Sequence, residues 1–176
     1  GHFVTNVDVV NYTADRFANE EFLRHANYRH IAEDIAALSH VPESDILVNF
    51  AAESHVDNSI ADSRQFCYAN VIGVQRLLEL VRGKNSWDAP VFVQISTDEV
   101  YGDIASGRHD ESNLLRPSNP YSATKAAADM LVLGWARTYG LCYNIVRMAN
   151  NYGPFQYPEK LIPKSVHRMR RGLPAP

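Results

Sequence analysis

The stretch Val91-Phe92-Val93-Gln94-Ile95-Ser96-Thr97-Asp98-Glu99-Val100-Tyr101-Gly102 joins an apolar run to a polar knot. The apolar half has the length and β-branched content of a buried strand. The polar half sets a hydroxyl, two carboxylates and a phenol at that strand's carboxyl end. Working outward, comparable runs occupy 5–10, 28–31, 46–50 and 143–148, and long helical patterns separate them. Strands that alternate with helices predict an α/β domain whose parallel sheet is covered by helices. Ligands of such sheets bind in the crevice at the carboxyl ends of the strands, which is where the polar knot lies.

Two helices are predicted on either side of the 91–95 strand. The first covers 63–82, with Phe66, Val71, Val74, Leu77, Leu78 and Val81 on one stripe. Gly73 within it weakens the helix and suits a position where a neighbouring backbone comes close. The second runs from 121 to about 138 after a polar loop, with Gly140 as its stop. Ala123, Ala126, Ala127, Ala128, Leu131, Val132, Leu133 and Trp135 leave it small or apolar nearly all round. That composition predicts cover on a second side, from another subunit. Residues 150–158 read as an ordered loop, and a short basic helix leads from it to Gly172.

A chain of 176 residues, 45% hydrophobic, supports one domain with a real core. A net charge of -3 argues against a nucleic-acid partner, and the local patch of Arg168, Arg170 and Arg171 reads as a solvated helix end. Cys67 and Cys142 lie in apolar segments without the spacing of a metal knuckle or redox motif. They are expected to be reduced core residues of a cytoplasmic protein. No run approaches the length of a membrane span, no secretion signal is evident, and no metal-ligand set is recognised.

Several side chains stand where chemistry is expected. Asp8, at a strand end, could accept the hydroxyls of an adenosine ribose, or serve only as a turn carboxylate. Asp34 and Ile35 follow the next strand and could approach an adenine edge. Ala51 and Ala52 directly follow a strand, so a flat or phosphorylated ligand could lie against backbone there. His55 reads as a structural or solvated histidine. Tyr121 and Lys125, four residues apart on a helix, share one face. An ammonium there favours phenolate and would make Tyr121 a base for an alcohol. Asp98 and Glu99 are either a solvated acidic turn or an acid and a base at neighbouring atoms of one substrate. Thr97 could hydrogen-bond an alkoxide or carbonyl oxygen beside them.

Four ordered segments then carry a resemblance: Asn49-Phe50-Ala51-Ala52-Glu53-Ser54-His55-Val56-Asp57, Ser96-Thr97-Asp98-Glu99-Val100-Tyr101-Gly102-Asp103, Ser118-Asn119-Pro120-Tyr121-Ser122-Ala123-Thr124-Lys125, and the run 150–163 beginning Asn150-Asn151-Tyr152-Gly153-Pro154. The sequence resembles the extended short-chain dehydrogenase/reductases and, within them, the nucleoside-diphosphohexose 4,6-dehydratases, above all those of the dTDP-glucose type. The resemblance implies a Rossmann-type doubly wound parallel sheet that binds NAD over residues 1–176, with 150–176 leading into the substrate-binding part. It implies that Tyr121 deprotonates the C4 hydroxyl while NAD takes hydride, with Lys125 tuning the phenol and holding the ribose. Thr97 would then polarise the ketone, Glu99 remove the C5 proton and Asp98 protonate the departing C6 hydroxyl. Hydride would return to C6. By the same resemblance Asp8, Asp34, Ile35, Ala51, Ala52 and Asn151 would line the cofactor, while Ser54, Asn150, Glu159 and Lys160 would contact a nucleotide sugar. A homodimer is also implied.

The departures are specific. Only Gly1-His2-Phe3 resembles the end of the family's glycine-rich turn, so the fold is expected to be incomplete at the N-terminus and to lack most of the small substrate domain. Segments are expected to be missing before Gly1 and after Pro176, and a break between Val4 and Thr5 is considered. Ala69 stands where a threonine is expected beside the nicotinamide. The Asp98–Glu99 pair separates a dehydratase from the related epimerases and decarboxylases, which remain alternatives on the same scaffold, as does an inactive nucleotide-binding fragment.

Overall fold

The structure, a computed structural model, describes residues 1–11, 20–84 and 89–176. Contacts divide the chain into two units, one of residues 1–32 with 150–176, the other of residues 33–149. In the first, β1 (Val4–Asp8) pairs in parallel with β2 (Tyr28–Ala32), the short α1 (Glu20–Leu23) between them. β1 runs unbroken through Val4 and Thr5, which pair with Tyr28 and Arg29. α6 (Leu161–Met169) belongs to this unit.

The second unit holds a parallel sheet in the order β3-β4-β5, from β3 (Ile46–Asn49), β4 (Val91–Thr97) and β5 (Tyr143–Met148). The predicted α/β class and parallel pairing are therefore present. β4 is central, and Phe92, Gln94, Ser96 and Thr97 on it are buried. A buried glutamine in a strand needs a partner, and Gln94 Oε1 accepts from Asn49 Nδ2 at 3.0 Å, the residue paired with it across the ladder. β3 departs from expectation: Ile46 and Val48 are exposed, so it is half covered rather than buried.

Between β3 and β4 come α2 (Val56–Ala61), α3 (Arg64–Cys67), a π-helical turn at Tyr68–Ile72, and α4 (Gly73–Arg82). The predicted single helix over 63–82 is thus interrupted. Asn70 is buried while Val71 is only half-buried, so the inward stripe runs through Asn70, four residues from both Phe66 and Val74. Gly73 is approached by a side chain and not by backbone, since an added Cβ would meet Ile35 Cδ1 at 2.6 Å. Cys67 and Cys142 are free but exposed, contrary to the core reading. Phe66 takes the inward position beside Cys67, and Cys142 lies in the loop before β5.

The helix predicted from residue 121 is α5 (Pro120–Tyr139). Asn119 caps it, Pro120 fits the first turn, where its missing N–H costs nothing, and Gly140 closes it in the left-handed conformation with φ 73°. α5 packs on β4 and on α4. It buries Ser122, Thr124, Lys125 and Asp129 beside Ala126, Ala128 and Val132, so its inner face is polar at the start and apolar further on.

A 3-10 turn at Asp98–Tyr101 follows β4, packing Val100 and Tyr101 against Ala126. Gly102 ends it with φ 82°, and a Cβ there would collide with the Arg116 carbonyl oxygen. Gly134 on α5 has open space around it. Gly102→Ala is therefore expected to lose about 2 kcal/mol or more of stability, and Gly134→Ala to gain about 0.5–1 kcal/mol, both read as shifts of the urea unfolding midpoint.

Candidate functional site

The residues that the sequence singles out around β4 and α5 come together in the second unit. Thr97, the last residue of β4, accepts the Glu99 N–H at 3.2 Å and thereby starts the turn. Its hydroxyl also reaches Asp98 Oδ1 at 3.3 Å. Tyr121 lies in the first turn of α5, its ring edge-on to Phe66 at 6.5 Å between centroids. Its backbone N–H, left free by the helix start, is taken by the Ser59 hydroxyl of α2 at 3.1 Å.

The electrostatics of this cluster differ from the simple tyrosine–lysine expectation. The Tyr121 phenol is pushed up to about 12, first by burial and then by the charges of Glu99 and Asp98, against a smaller opposing contribution from a hydrogen bond with Thr97. The start of α5 packs against the 98–101 turn, so both carboxylates are near enough to act on the charge of the phenol. Lys125 is buried, and its Nζ donates to the Ile95 carbonyl at 2.6 Å. Burial lowers Lys125 to about 8, with Asp129 one turn further on opposing the fall. Asp129 is itself buried and pairs with Arg147 Nε of β5 at 2.9 Å. Arg147 in turn donates to the Tyr101 hydroxyl at 2.7 Å.

Other candidates in this unit line its approaches. Ala51 and Ala52 follow β3 and are half-buried, with the Ala51 N–H held by Asn49 Oδ1 at 3.2 Å. Asp34 accepts the Ala36 N–H at 2.8 Å in a turn, and Ile35 is buried. Ser54 lies between Ala52 and α2. His55 is structural: its ring nitrogen caps α2 by accepting from Asn58 N. Asp8, Asn150, Asn151, Glu159 and Lys160 belong to the other unit. There Asp8 accepts the Val10 N–H at 2.8 Å, and Lys160 precedes α6 as its cap residue.

Asn70 escaped the sequence reading. Its amide donates to the Glu53 carbonyl at 3.0 Å and to Thr124 Oγ1 at 2.9 Å, and accepts the Glu53 N–H at 2.9 Å. One buried side chain therefore ties the segment after β3 to the inner face of α5. An asparagine four residues from both Phe66 and Val74, on the apolar stripe, was the available signal. Ser59, Asn119, Asp129 and Arg147 were likewise not anticipated.

The family described as GDP-mannose 4,6 dehydratase matches residues 8–175. The chain belongs to this family. It is 44% identical over 177 aligned residues to the low-salt glycan biosynthesis protein Agl12 of Haloferax volcanii, covering 98% of this chain and 56% of that protein. It is 41% identical to dTDP-glucose 4,6-dehydratase of Streptomyces niveus, covering 100% of this chain and 53% of that one. A solved structure of a DesIV double mutant, dTDP-glucose 4,6-dehydratase from Streptomyces venezuelae with NAD bound, superposes with a TM-score of 0.87 at 39% identity. That match covers 96% of this chain and 53% of the other. The chain spans about half the length of the curated relatives it matches.

The buried lysine has a consequence for stability. Its folded pKa of about 8 lies below the ordinary 10.5, so the unfolded chain binds more protons between those values. Stability is therefore lowest below about pH 8 and recovers as pH rises towards 10, by on the order of 3 kcal/mol at full effect. Tyr121 acts oppositely and later, since a phenol raised from 10 to about 12 loses stability as pH climbs between them. Urea unfolding free energies are expected to rise from about pH 8 to pH 10. Lys125→Met should flatten that rise, and an undiminished slope in the variant would assign the titration to another group.

Proposed function

We propose that this chain carries the catalytic groups of a nucleoside-diphosphohexose 4,6-dehydratase that uses NAD and takes dTDP-glucose as its first-choice substrate. The observation that carries the reading is the succession Thr97, Asp98, Glu99 at the carboxyl end of β4, with the start of α5 that bears Tyr121 packed against that turn. A dehydration next to a ketone needs that set: a base for an alcohol, a donor for the oxygen, and an acid and a base for adjacent carbons. The names of the relatives support the same reaction.

The residues fit the cofactor. Ala51 and Ala52, just beyond the carboxyl end of β3, present only methyl groups, and α5, which bears the phenol and the ammonium, packs on the neighbouring β4. Asp34 and Ile35 would border the adenine, with Asp8 and Asn151 as the cofactor contacts in the other unit. NAD, when bound, supplies the hydride acceptor for the alcohol and the donor that later restores the redox balance.

Tyr121 takes the proton of the C4 hydroxyl. A phenol at about 12 holds its proton in the free protein, so to act as the base Tyr121 must first release that proton to solvent. Positive charge in the loaded site, from Lys125 and the oxidised cofactor, would favour the phenolate. Thr97 then holds the ketone oxygen, which acidifies C5. Glu99 removes the C5 proton and Asp98 delivers one to the C6 hydroxyl, which leaves as water. Ser54, Asn150, Glu159 and Lys160 contact the nucleotide sugar. The assembly is a cytoplasmic homodimer in which α5, with Met130 exposed, faces its twin.

Incubation of the protein with NAD and dTDP-glucose, or with UDP-hexoses, is expected to yield the alkaline chromophore of a 4-keto-6-deoxy sugar. Tyr121→Phe should depress C4 oxidation by at least ~10²-fold, and Glu99→Gln should still reduce NAD but stall before elimination. A product that keeps its C6 oxygen or releases carbon dioxide would assign an epimerase or a decarboxylase instead. Full turnover by Glu99→Gln would remove Glu99 as the base.

A further inference from the structure

Glu99 is held from outside its own turn. Asn119 Nδ2 donates to Glu99 Oε2 at 3.2 Å, while Oδ1 of the same amide accepts the Ser122 N–H at 2.8 Å. The orientation of that amide is dictated by its partners. A backbone N–H can only donate, so it must meet the oxygen; an ionised carboxylate can only accept, so it must meet the nitrogen.

The amide also has little freedom to turn. Asn119 N accepts no alternative role, since its N–H is bonded to Ser122 Oγ at 3.2 Å, closing the capping box. Ser122 is fully buried and Pro120 follows directly, so the backbone at residue 119 is pinned from both sides. Rotating the amide would break the cap that starts α5. The nitrogen is consequently aimed at Glu99 by the same geometry that begins the helix bearing Tyr121 and Lys125.

We propose that Asn119 is a positioning residue for Glu99, locking the base of the elimination step to the helix that carries the base of the oxidation step. This rests on the reading of Glu99 as the group that removes the C5 proton. Asn119 touches neither substrate nor cofactor in this role. Its two functions separate by chemistry: a hydroxyl or carboxylate oxygen caps a helix as well as an amide does, but only the amide carries its donor on a second atom that reaches Glu99 while the oxygen caps.

Asn119→Ser and Asn119→Asp in the whole protein test this. C4 oxidation is read as the rapid appearance of NADH, and elimination as deuterium uptake at C5 in heavy water together with product formation. In Asn119→Ser the melting temperature and the oxidation rate should stay close to those of the parent, while elimination slows by about tenfold or more. Asn119→Asp keeps a capping oxygen but sets a second carboxylate against Glu99, and its elimination should slow at least as much. Elimination at the parental rate in Asn119→Ser would overturn the proposal. So would a loss shared equally by both steps, because that is the signature of a damaged helix start. A parent protein that reduces no NAD with any nucleotide hexose would overturn the dehydratase reading together with this one, whereas the other two failures leave that reading standing.

Discussion

The buried amide of Asn70 is the interaction on which the second unit's site depends. It bonds both backbone groups of Glu53 and the Thr124 hydroxyl, so the segment leaving β3 and the inner face of α5 share one anchor. A side-chain amide in a dry interior is costly unless nearly all of its hydrogen-bonding capacity is used, and here three bonds use it. Asn70 lies in the π-turn at Tyr68–Ile72, four residues from the buried Phe66 and Val74 on the same inward face.

Around that anchor the start of α5 concentrates polar groups that helices of this kind normally keep outside. Lys125, Asp129 and Arg147 form a buried chain of alternating charge, continued by Tyr101, whose ring the Arg147 guanidinium overlies at 5.1 Å and the His109 ring stacks at 5.3 Å. Burial raises the Asp129 carboxyl even though Arg147 and Lys125 favour its ionised form. Such a set contributes little net stability compared with an apolar core, yet removing one member leaves the others unpaired. The arrangement holds Lys125 below its ordinary pKa and aims it at the Ile95 carbonyl at the edge of the site.

Much of this architecture was legible. β5 was read over its full observed span, and β4 from its first residue, because Val, Ile and Phe runs bounded by polar residues have few other uses. α5 was readable within a residue or two at each end, since Pro120 and Gly140 are chemical punctuation for a helix. The grouping of Thr97, Asp98, Glu99, Tyr121 and Lys125 followed from their places at a strand end and on the next helix. Exposure was not legible. Asn70, though spaced four residues from Phe66 and Val74, was passed over for Val71 because it is polar, and the exposure of Cys67, Cys142, Ile46 and Val48 depends on neighbours far away in the chain.

The amino-acid sequence by itself determined the α/β class, the order of the elements and which residue types reach the carboxyl end of β4. Those properties are local: periodicity, caps and turn residues act over a few positions. Only the tertiary structure decided which way Lys125 points, why Tyr121 holds its proton more tightly than a free phenol, and that Asn119 reaches Glu99. These depend on distances between groups remote in sequence and on how much water is excluded from them, and neither quantity is written in a one-dimensional pattern.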